Sequence, residues 1–562
     1  MTNLIDYATF ISMNLVKIIA EKLGVDEKLI TRPPKPEMGD YSLPCFVFAK
    51  ERKVSPDVIM KEFEEKIADD PMFEPCNKVG AYLNFVLNKE YVGKMLMQSL
   101  KNISYPNIGN YKVVAIDYCS VNLAKYLHIG HFTTTIIGES LARICEALGY
   151  KVIRINYVGD YGTPFGKMVV AYKLWGNREE IEKRGVDAIQ ELYVKFCANE
   201  NEELLEKARY ASSQIEKKSG TEYEIYKWII EITIEETRRL ISRMGITFDD
   251  WRGESTYNDK MEPILEEIRL AGLSKVENGA TIIDMNDYNL GVCVLKRSDG
   301  ASLYVTRDLA AVEDRYNLYH FDEMLYVTAS QQNSHFAKLF KICELLNRPY
   351  ADKLKHISYG MFSLPEGKIA SRKGKQALFQ DILNEAENEA LEVVKSRPLS
   401  EEKKQEISKS VALSAISFSI LKVDRIKDKV FDLKKAVSFD GETGPYIQYT
   451  FARCNSLIKK YLERYSFKDD EVPEITQTAF TALKHLADRE STILLSKEKY
   501  EPSIISRYLL DLCQIFNSYY NETKIITDSE EESAGRINLV RIIKNVLERD
   551  MKLVMIGPIN EM

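Results

Sequence analysis

The stretch from Asp117 to Asn156, DYCSVNLAKYLHIGHFTTTIIGESLARICEALGYKVIRIN, limits what this chain can fold into more than any other. Just ahead of it, Val113-Val114-Ala115-Ile116 is a short apolar run suited to a buried strand. Ile137, Leu141, Ile144 and Leu148 then recur at i, i+4, i+7 and i+11, the spacing of one helix face. Gly149 stands where a helix end needs a positive φ, and Lys151 to Ile155 is β-rich again. Together they make one βαβ unit with His128-Ile129-Gly130-His131 at the switch from loop to helix. A helix N-terminus after a parallel strand presents free N–H groups and a positive dipole end, which suit phosphate. Gly130 lets a planar base approach the backbone. His128 and His131 can donate to phosphoryl oxygens as charge builds in a displacement at phosphorus. A histidine pair three apart is otherwise an ordinary surface feature; the strand-to-helix setting gives it chemical meaning.

A chain of 562 residues implies three or four domains. Met1 to Leu15 carries Asp6 and no cleavage-like end, and Val411 to Leu421 is too short to span a bilayer, so a cytoplasmic protein without a membrane partner is expected. The nine cysteines form no CxxC pair, which speaks against a zinc ribbon or a disulfide framework, and no metal site is expected. The net charge of −7 is only an average. From Lys395 to Lys435 there are 11 Lys and Arg against 6 Asp and Glu, and Lys368, Arg372, Lys373 and Lys375 crowd one short segment. An acidic protein can present such basic faces to a polyanion.

Read in order, residues 1–105 form a small α+β domain. Its strand Val79–Leu87 carries Tyr82 and Asn84 at alternate positions, pointing the same way, a pair able to stack on and hydrogen-bond an unstacked base. Residues 106–385 read as a Rossmann-type α/β domain with a parallel sheet, interrupted at about 167–251 by charge-laced helical segments. Within it Tyr304 and Asp308 stand where a strand, Leu303 to Asp308, yields to a helix, and a phenol and a carboxylate converging there suit a guanidinium. After the Pro365-Glu366-Gly367 turn, Lys368 to Gly374 is a basic loop of the type that closes over a polyphosphate. Residues 386–562 read as an all-α bundle, with Ile447, Phe451, Cys454 and Ile458 on one face and Leu539, Ile543, Val546 and Leu547 on another.

These residues resemble a known family. HIGH at 128–131 with a lysine-rich loop far downstream is the paired signature of class I aminoacyl-tRNA synthetases, and the surrounding text resembles arginyl-tRNA synthetase throughout. The matching segments are Ser120-Val121-Asn122-Leu123-Ala124-Lys125, Gly159-Asp160-Tyr161-Gly162, Tyr304-Val305-Thr306-Arg307-Asp308, Gln331-Gln332 with His335, Lys368 to Gly374, Gly444-Pro445-Tyr446-Ile447-Gln448-Tyr449 with Arg453, and the closing Met555 to Met562. The resemblance implies a monomeric arginine–tRNA ligase that uses ATP with Mg²⁺ and takes L-arginine and tRNA(Arg) as partners. It implies that His128, His131, Gly130 and His335 meet ATP. Lys125, Lys368 and Lys373 would supply charge, and Asp117, Asn122, Tyr304, Asp308 and Gln332 would hold arginine. It further implies that Tyr82 and Asn84 meet the tRNA elbow and that Tyr446, Gln448, Tyr449 and Arg453 meet the anticodon. Family members tend to need bound tRNA before they activate arginine, and the same is expected here.

The departures are local. Ser371 stands where many synthetases carry a second loop lysine, and Lys125 fits the lysine before HIGH that replaces it. Ile369 and Ala370 replace the usual Met and Ser, Asp117 is one carbon shorter than the glutamate often found there, and Tyr161 replaces a tryptophan. Small-molecule nucleotidyltransferases share HxGH but are shorter and lack a carboxy-terminal bundle. A non-catalytic RNA-binding relative has no need of His128, Gly130, His131, Asn122 and Asp308 together.

Overall fold

The computed structural model describes residues 14–298, 304–363, 365 and 378–561; the basic loop with Lys368 and Lys373 lies outside the described residues. The chain forms two compact units. One comprises Met1–Pro106, Phe439–Lys499 and Ile504–Met562, and the other Asn107–Ser438 with Tyr500–Ser503.

The amino-terminal part of the first unit holds strands β1 (Tyr41–Pro44), β2 (Phe73–Val79) and β3 (Tyr82–Leu87) in an antiparallel sheet with β3 central. Tyr82 is exposed as its alternation suggests, with Phe46 packed edge-on 5.6 Å from its ring. Asn84, expected to share that open face, is buried. Gly39 lies over it so closely that a Cβ there would sit 3.3 Å from the Asn84 Cβ and 2.9 Å from the Phe85 carbonyl oxygen. A loop packed on the sheet has covered a polar position that strand periodicity alone leaves open.

The second unit is built on four parallel strands. β4 (Val113–Asp117) runs into helix α1 (Ile129–Ala147) and back as β5 (Lys151–Ile155), with Gly149 at φ +83 between them. Five helices between Thr163 and Ser242 and a separate antiparallel sheet of Lys275–Glu277, Ala280–Asp284 and Val292–Lys296 follow. The chain then returns through α2 (Tyr304–Tyr319), β6 (Glu323–Tyr326), α3 (Asn333–Leu345) and β7 (Leu354–His356). The strand order is β7-β6-β4-β5, so the winding reverses at β4 and opens a crevice at its carboxyl end.

The strand expected at Leu303 to Asp308 is not one: from Tyr304 the chain is helical. Tyr, Val and Thr favour strands locally, but Val305, Leu309 and Val312 are all buried at helical spacing, and the packing they gain overrides propensity. Residues 386–438, read from the sequence as the start of the bundle, belong to this second unit. Helices α4 (Phe379–Val394) and α5 (Glu401–Leu421) pack on α1, and Phe379 stacks on Phe132 with ring centroids 3.7 Å apart. Apolar periodicity identifies a buried helix without saying which core it joins.

The chain returns to the first unit with α6 (Gly444–Leu462), α7 (Ser503–Glu522) and α8 (Glu530–Leu553). Ile447, Phe451 and Cys454 on α6 and Leu539, Ile543, Val546 and Leu547 on α8 are fully buried, as their spacing requires. These helices and the amino-terminal part share a core. Arg489 donates to both oxygens of fully buried Asp550 at 2.7 Å and to the Ser104 carbonyl at 2.9 Å, and the Tyr105 hydroxyl donates to Asp550 at 2.8 Å. Among the described residues no helix is long and apolar enough to cross a membrane.

Removing one member of a buried ion pair strands the other's charge at a cost of about 3–5 kcal/mol. Arg489→Met should therefore lower the calorimetric melting temperature of the first unit by several degrees, while Arg489→Met with Asp550→Leu should recover most of that loss. A single variant that melts like wild type would show that the pair does not hold the two parts together.

Candidate active site

The crevice begins at the N-terminus of α1, which is closed by its own signature histidines. Gly130 N–H donates to His128 Nδ1 at 3.1 Å, and His128 N–H donates to His131 Nδ1 at 3.0 Å. These two bonds act as a capping box, satisfying donors that the helix end leaves free. They also determine the tautomers. A ring nitrogen that accepts a hydrogen bond carries no proton, so in a neutral imidazole the proton sits on Nε2. Burial pushes the His131 pKa down to about 3, with His128 adding to the effect, and burial also lowers His128. Both rings are therefore neutral near pH 7, 4.0 Å apart between centroids, each with one Nε2–H donor. A bulkier residue at Gly130 would press on the His128 ring, 3.0 Å from where its Cβ would lie.

Between β4 and α1 the backbone takes positive φ at Cys119, Ser120 and Ala124, none of them glycine. Each such position costs about 1–3 kcal/mol, held by the surroundings. The surroundings are visible: Gly159 N–H donates to Val121 O at 2.8 Å, and Leu123 N–H donates to Gly159 O at 3.0 Å. A Cβ at Gly159 would fall 2.5 Å from Asn122 Oδ1 and push that side chain out of place. The loop presents Asn122 and Lys125 as exposed side chains.

The opposite wall comes from α2 and the start of α3. Tyr304 and Asp308 lie one helical turn apart, and Tyr304 is 68% exposed. The Asp308 Oδ2 accepts from His335 Nε2 at 2.7 Å. His335, expected at ATP, is here a partner of the carboxylate expected to hold arginine. Gln332 is exposed in a short 3₁₀ turn just before α3. Asp117, expected to read the guanidinium, is buried, and both its oxygens are engaged: Oδ1 accepts from Ser120 Oγ at 2.9 Å and Oδ2 lies 2.9 Å from Arg315 Nη1.

One carboxylate escaped the sequence reading. Glu254 opens a 3₁₀ helix (Glu254–Lys260) after the inserted helices and accepts from Arg307 Nη1 at 2.8 Å, while the Arg307 guanidinium lies 4.4 Å from the Tyr161 ring centroid. Burial, reinforced by Asp308 and Asp160 and opposed by Arg307, pushes the Glu254 carboxyl up to about 7. Asp308 and Glu254 thus act on each other, and each keeps one oxygen without a donor among the described residues. Nothing in a lone glutamate announces this. Among the described residues no three His, Cys, Asp or Glu side chains are grouped as a metal ion would need.

In the first unit, Arg453 lies between the Tyr449 and Tyr520 rings, 4.9 and 5.0 Å from their centroids, and donates to Asn517 Oδ1 at 2.5 Å. Tyr446 accepts from Asn517 Nδ2 at 2.7 Å. Gln448, grouped with them from the sequence, is fully buried and donates to the Gly557 carbonyl at 2.6 Å. It anchors the end of the chain to α6.

Comparison with known proteins matches each part of this architecture. Residues 92–433 fit the model of the class I tRNA synthetase (R) catalytic domain, 447–562 the DALR anticodon binding domain, and 6–87 the arginyl tRNA synthetase N-terminal domain. The arginine–tRNA ligase of Halothermothrix orenii is 38% identical over 96% of this chain and 97% of its own length, and that of Clostridium perfringens 36% over 99% and 100%. Thermus thermophilus arginyl-tRNA synthetase superimposes with a TM-score of 0.81 at 24% identity, covering 98% of this chain and 99% of its own, which shows a shared fold. With a class I catalytic sheet capped by HIGH and full-length relatives of one kind, the chain belongs to the arginine–tRNA ligase family.

Proposed function

We propose that the crevice at β4 activates arginine as arginyl-adenylate and passes it to the 3′ end of tRNA(Arg). The observation that carries this reading is the pairing, in one crevice, of a phosphate-type helix N-terminus bearing two neutral Nε2–H donors with an acidic receptor. In the first step the arginine carboxylate attacks the α-phosphorus of ATP and pyrophosphate leaves. In the second, a terminal ribose hydroxyl of tRNA attacks the activated carbonyl and AMP leaves. Neither step needs a nucleophile from the protein, which supplies position and charge.

His128 and His131 donate to the triphosphate as charge shifts to the leaving group, and Lys125 adds positive charge from the same loop. Lys368 and Lys373 take the same part in this reading. Asn122 and Gln332 hold the amino and carboxylate end of arginine. Tyr304, Asp308 and Glu254 receive the guanidinium, with His335 steadying Asp308. A cation completes this receptor, while an uncharged side chain leaves the open oxygen of each half-buried carboxylate without a partner, which is how the site rejects it. Mg²⁺ arrives as the ATP chelate. In the first unit Tyr82 meets the tRNA elbow, and Tyr446, Tyr449 and Arg453 offer the anticodon aromatic faces and a cation. The enzyme acts as a cytoplasmic monomer and activates arginine only with tRNA bound.

Exchange of pyrophosphate into ATP, run with each of the twenty amino acids with and without tRNA, tests this directly. Exchange with arginine alone, and only with tRNA, is expected. Exchange with another amino acid would overturn the specificity, and no exchange at all would leave an RNA-binding protein without the reaction.

Glu254 predicts a pH dependence. A carboxyl raised to about 7 is largely protonated at pH 6 and ionised at pH 8. The kcat/KM for arginine, which reports the free enzyme, should rise up to about tenfold across that window and level off above it. Glu254→Gln should lower the plateau and flatten the profile. An unchanged profile in that variant would remove Glu254 from the receptor.

A further inference from the structure

Arg315 lies one helical face below Tyr304 and Asp308, at i+11 and i+7 along α2, yet it is 1% exposed. Asp117 ends β4 between two neighbours in parallel register, Ile155 of β5 and Tyr326 of β6. The Arg315 guanidinium enters beneath it, 4.8 Å from the Tyr157 ring centroid and 5.9 Å from that of Tyr326. Among the described residues its one acceptor is Asp117 Oδ2, at 2.9 Å; Nε and Nη2 reach none. The other Asp117 oxygen is taken by Ser120.

A buried guanidinium held by one carboxylate is a poor device for stability, because desolvation offsets most of the attraction. It is an effective device for removing a charge from a pocket. Burial raises the Asp117 carboxyl, Arg315 opposes that and Asp308 adds to it, so an Asp117 that stays ionised without Arg315 would form a second anionic centre close to the receptor. We propose that Arg315 is a specificity-determining positioning residue, which cancels Asp117 and leaves the substrate guanidinium to Asp308 and Glu254. Asp117 then shapes the crevice floor through Ser120 and the strained loop that carries Asn122, and does not read the cation. Two fully engaged oxygens on a buried carboxylate, beside two carboxylates that each keep an open oxygen, are what this division of labour requires.

The inference rests on the receptor reading above, and Asp308→Asn separates the two: arginine use that survives it overturns the receptor whatever Arg315 does. Asp117→Asn should keep kcat/KM for arginine within about tenfold of wild type. Arg315→Met should lose about thirtyfold or more, mainly in KM, because a buried anion is left unpaired beside the receptor. Arg315→Met with Asp117→Asn should return to within about fivefold of Asp117→Asn alone, the coupling of a charge pair rather than of two packing defects. Arg315→Lys, which keeps the charge, should retain most discrimination against citrulline, the neutral isostere. An Asp117→Asn loss as large as that of Asp308→Asn, or a double variant no better than Arg315→Met, overturns the proposal. Should Arg315→Met fail to fold, the comparison of Asp117→Asn with Asp308→Asn decides alone.

Discussion

Two hydrogen bonds at the start of α1 do more for this enzyme than close a helix. Gly130 N–H to His128 and His128 N–H to His131 consume the Nδ1 lone pairs of both imidazoles, and burial then keeps the rings neutral. Capping, tautomer and protonation state follow from one local arrangement. A protonated pair would bind a triphosphate tightly in the ground state as well as the transition state, which gains little in rate. Neutral donors aimed by a helix cap offer less initial attraction and more selectivity for charge that develops during displacement. The helix is held in turn from both sides, by the stacking of Phe132 on Phe379 and by the Thr134 hydroxyl, which donates to Val327 O at 2.7 Å.

Charge is distributed unevenly along the same crevice. The two signature histidines carry no formal charge, while the far end collects Asp117, Asp308, Asp160 and Glu254 against Arg315 and Arg307. Burial raises the Asp117, Asp160 and Glu254 carboxyls toward neutrality, Glu254 to about 7. A cation entering this end would relieve the repulsion that the acids impose on each other.

The sequence made some of this legible and hid the rest for physical reasons. The β4–α1–β5 unit could be read almost to the residue because periodicity, a helix-ending glycine and β-branched runs all agreed. Tyr304 to Asp308 misled because its strand-favouring residues turn their apolar face to a core assembled from distant segments, including Ile264, Ile283 and Phe336. Asn84 alternates with its neighbours as a polar surface position does, Gln448 is grouped with Tyr446 and Tyr449 by resemblance alone, and tertiary contacts with Gly39 and Gly557 bury them. Glu254 and Arg315 are invisible for a different reason. Each is one charged residue in a segment full of them, and its meaning lies in a partner some 50 or 200 positions away, Arg307 or Asp117. Resemblance to a family named the positions expected to hold arginine, but not the Arg315 contact that engages Asp117.

The protonation state of the signature histidines is the central physical claim, and the chain's six histidines make it directly observable. Nitrogen-15 NMR of histidine-labelled protein, titrated from pH 5.5 to 8, should show His128 and His131, identified by substitution, as Nε2–H tautomers that do not titrate. A proton on Nδ1, or an ionisation of either ring within that range, would contradict the account of how this site receives a triphosphate.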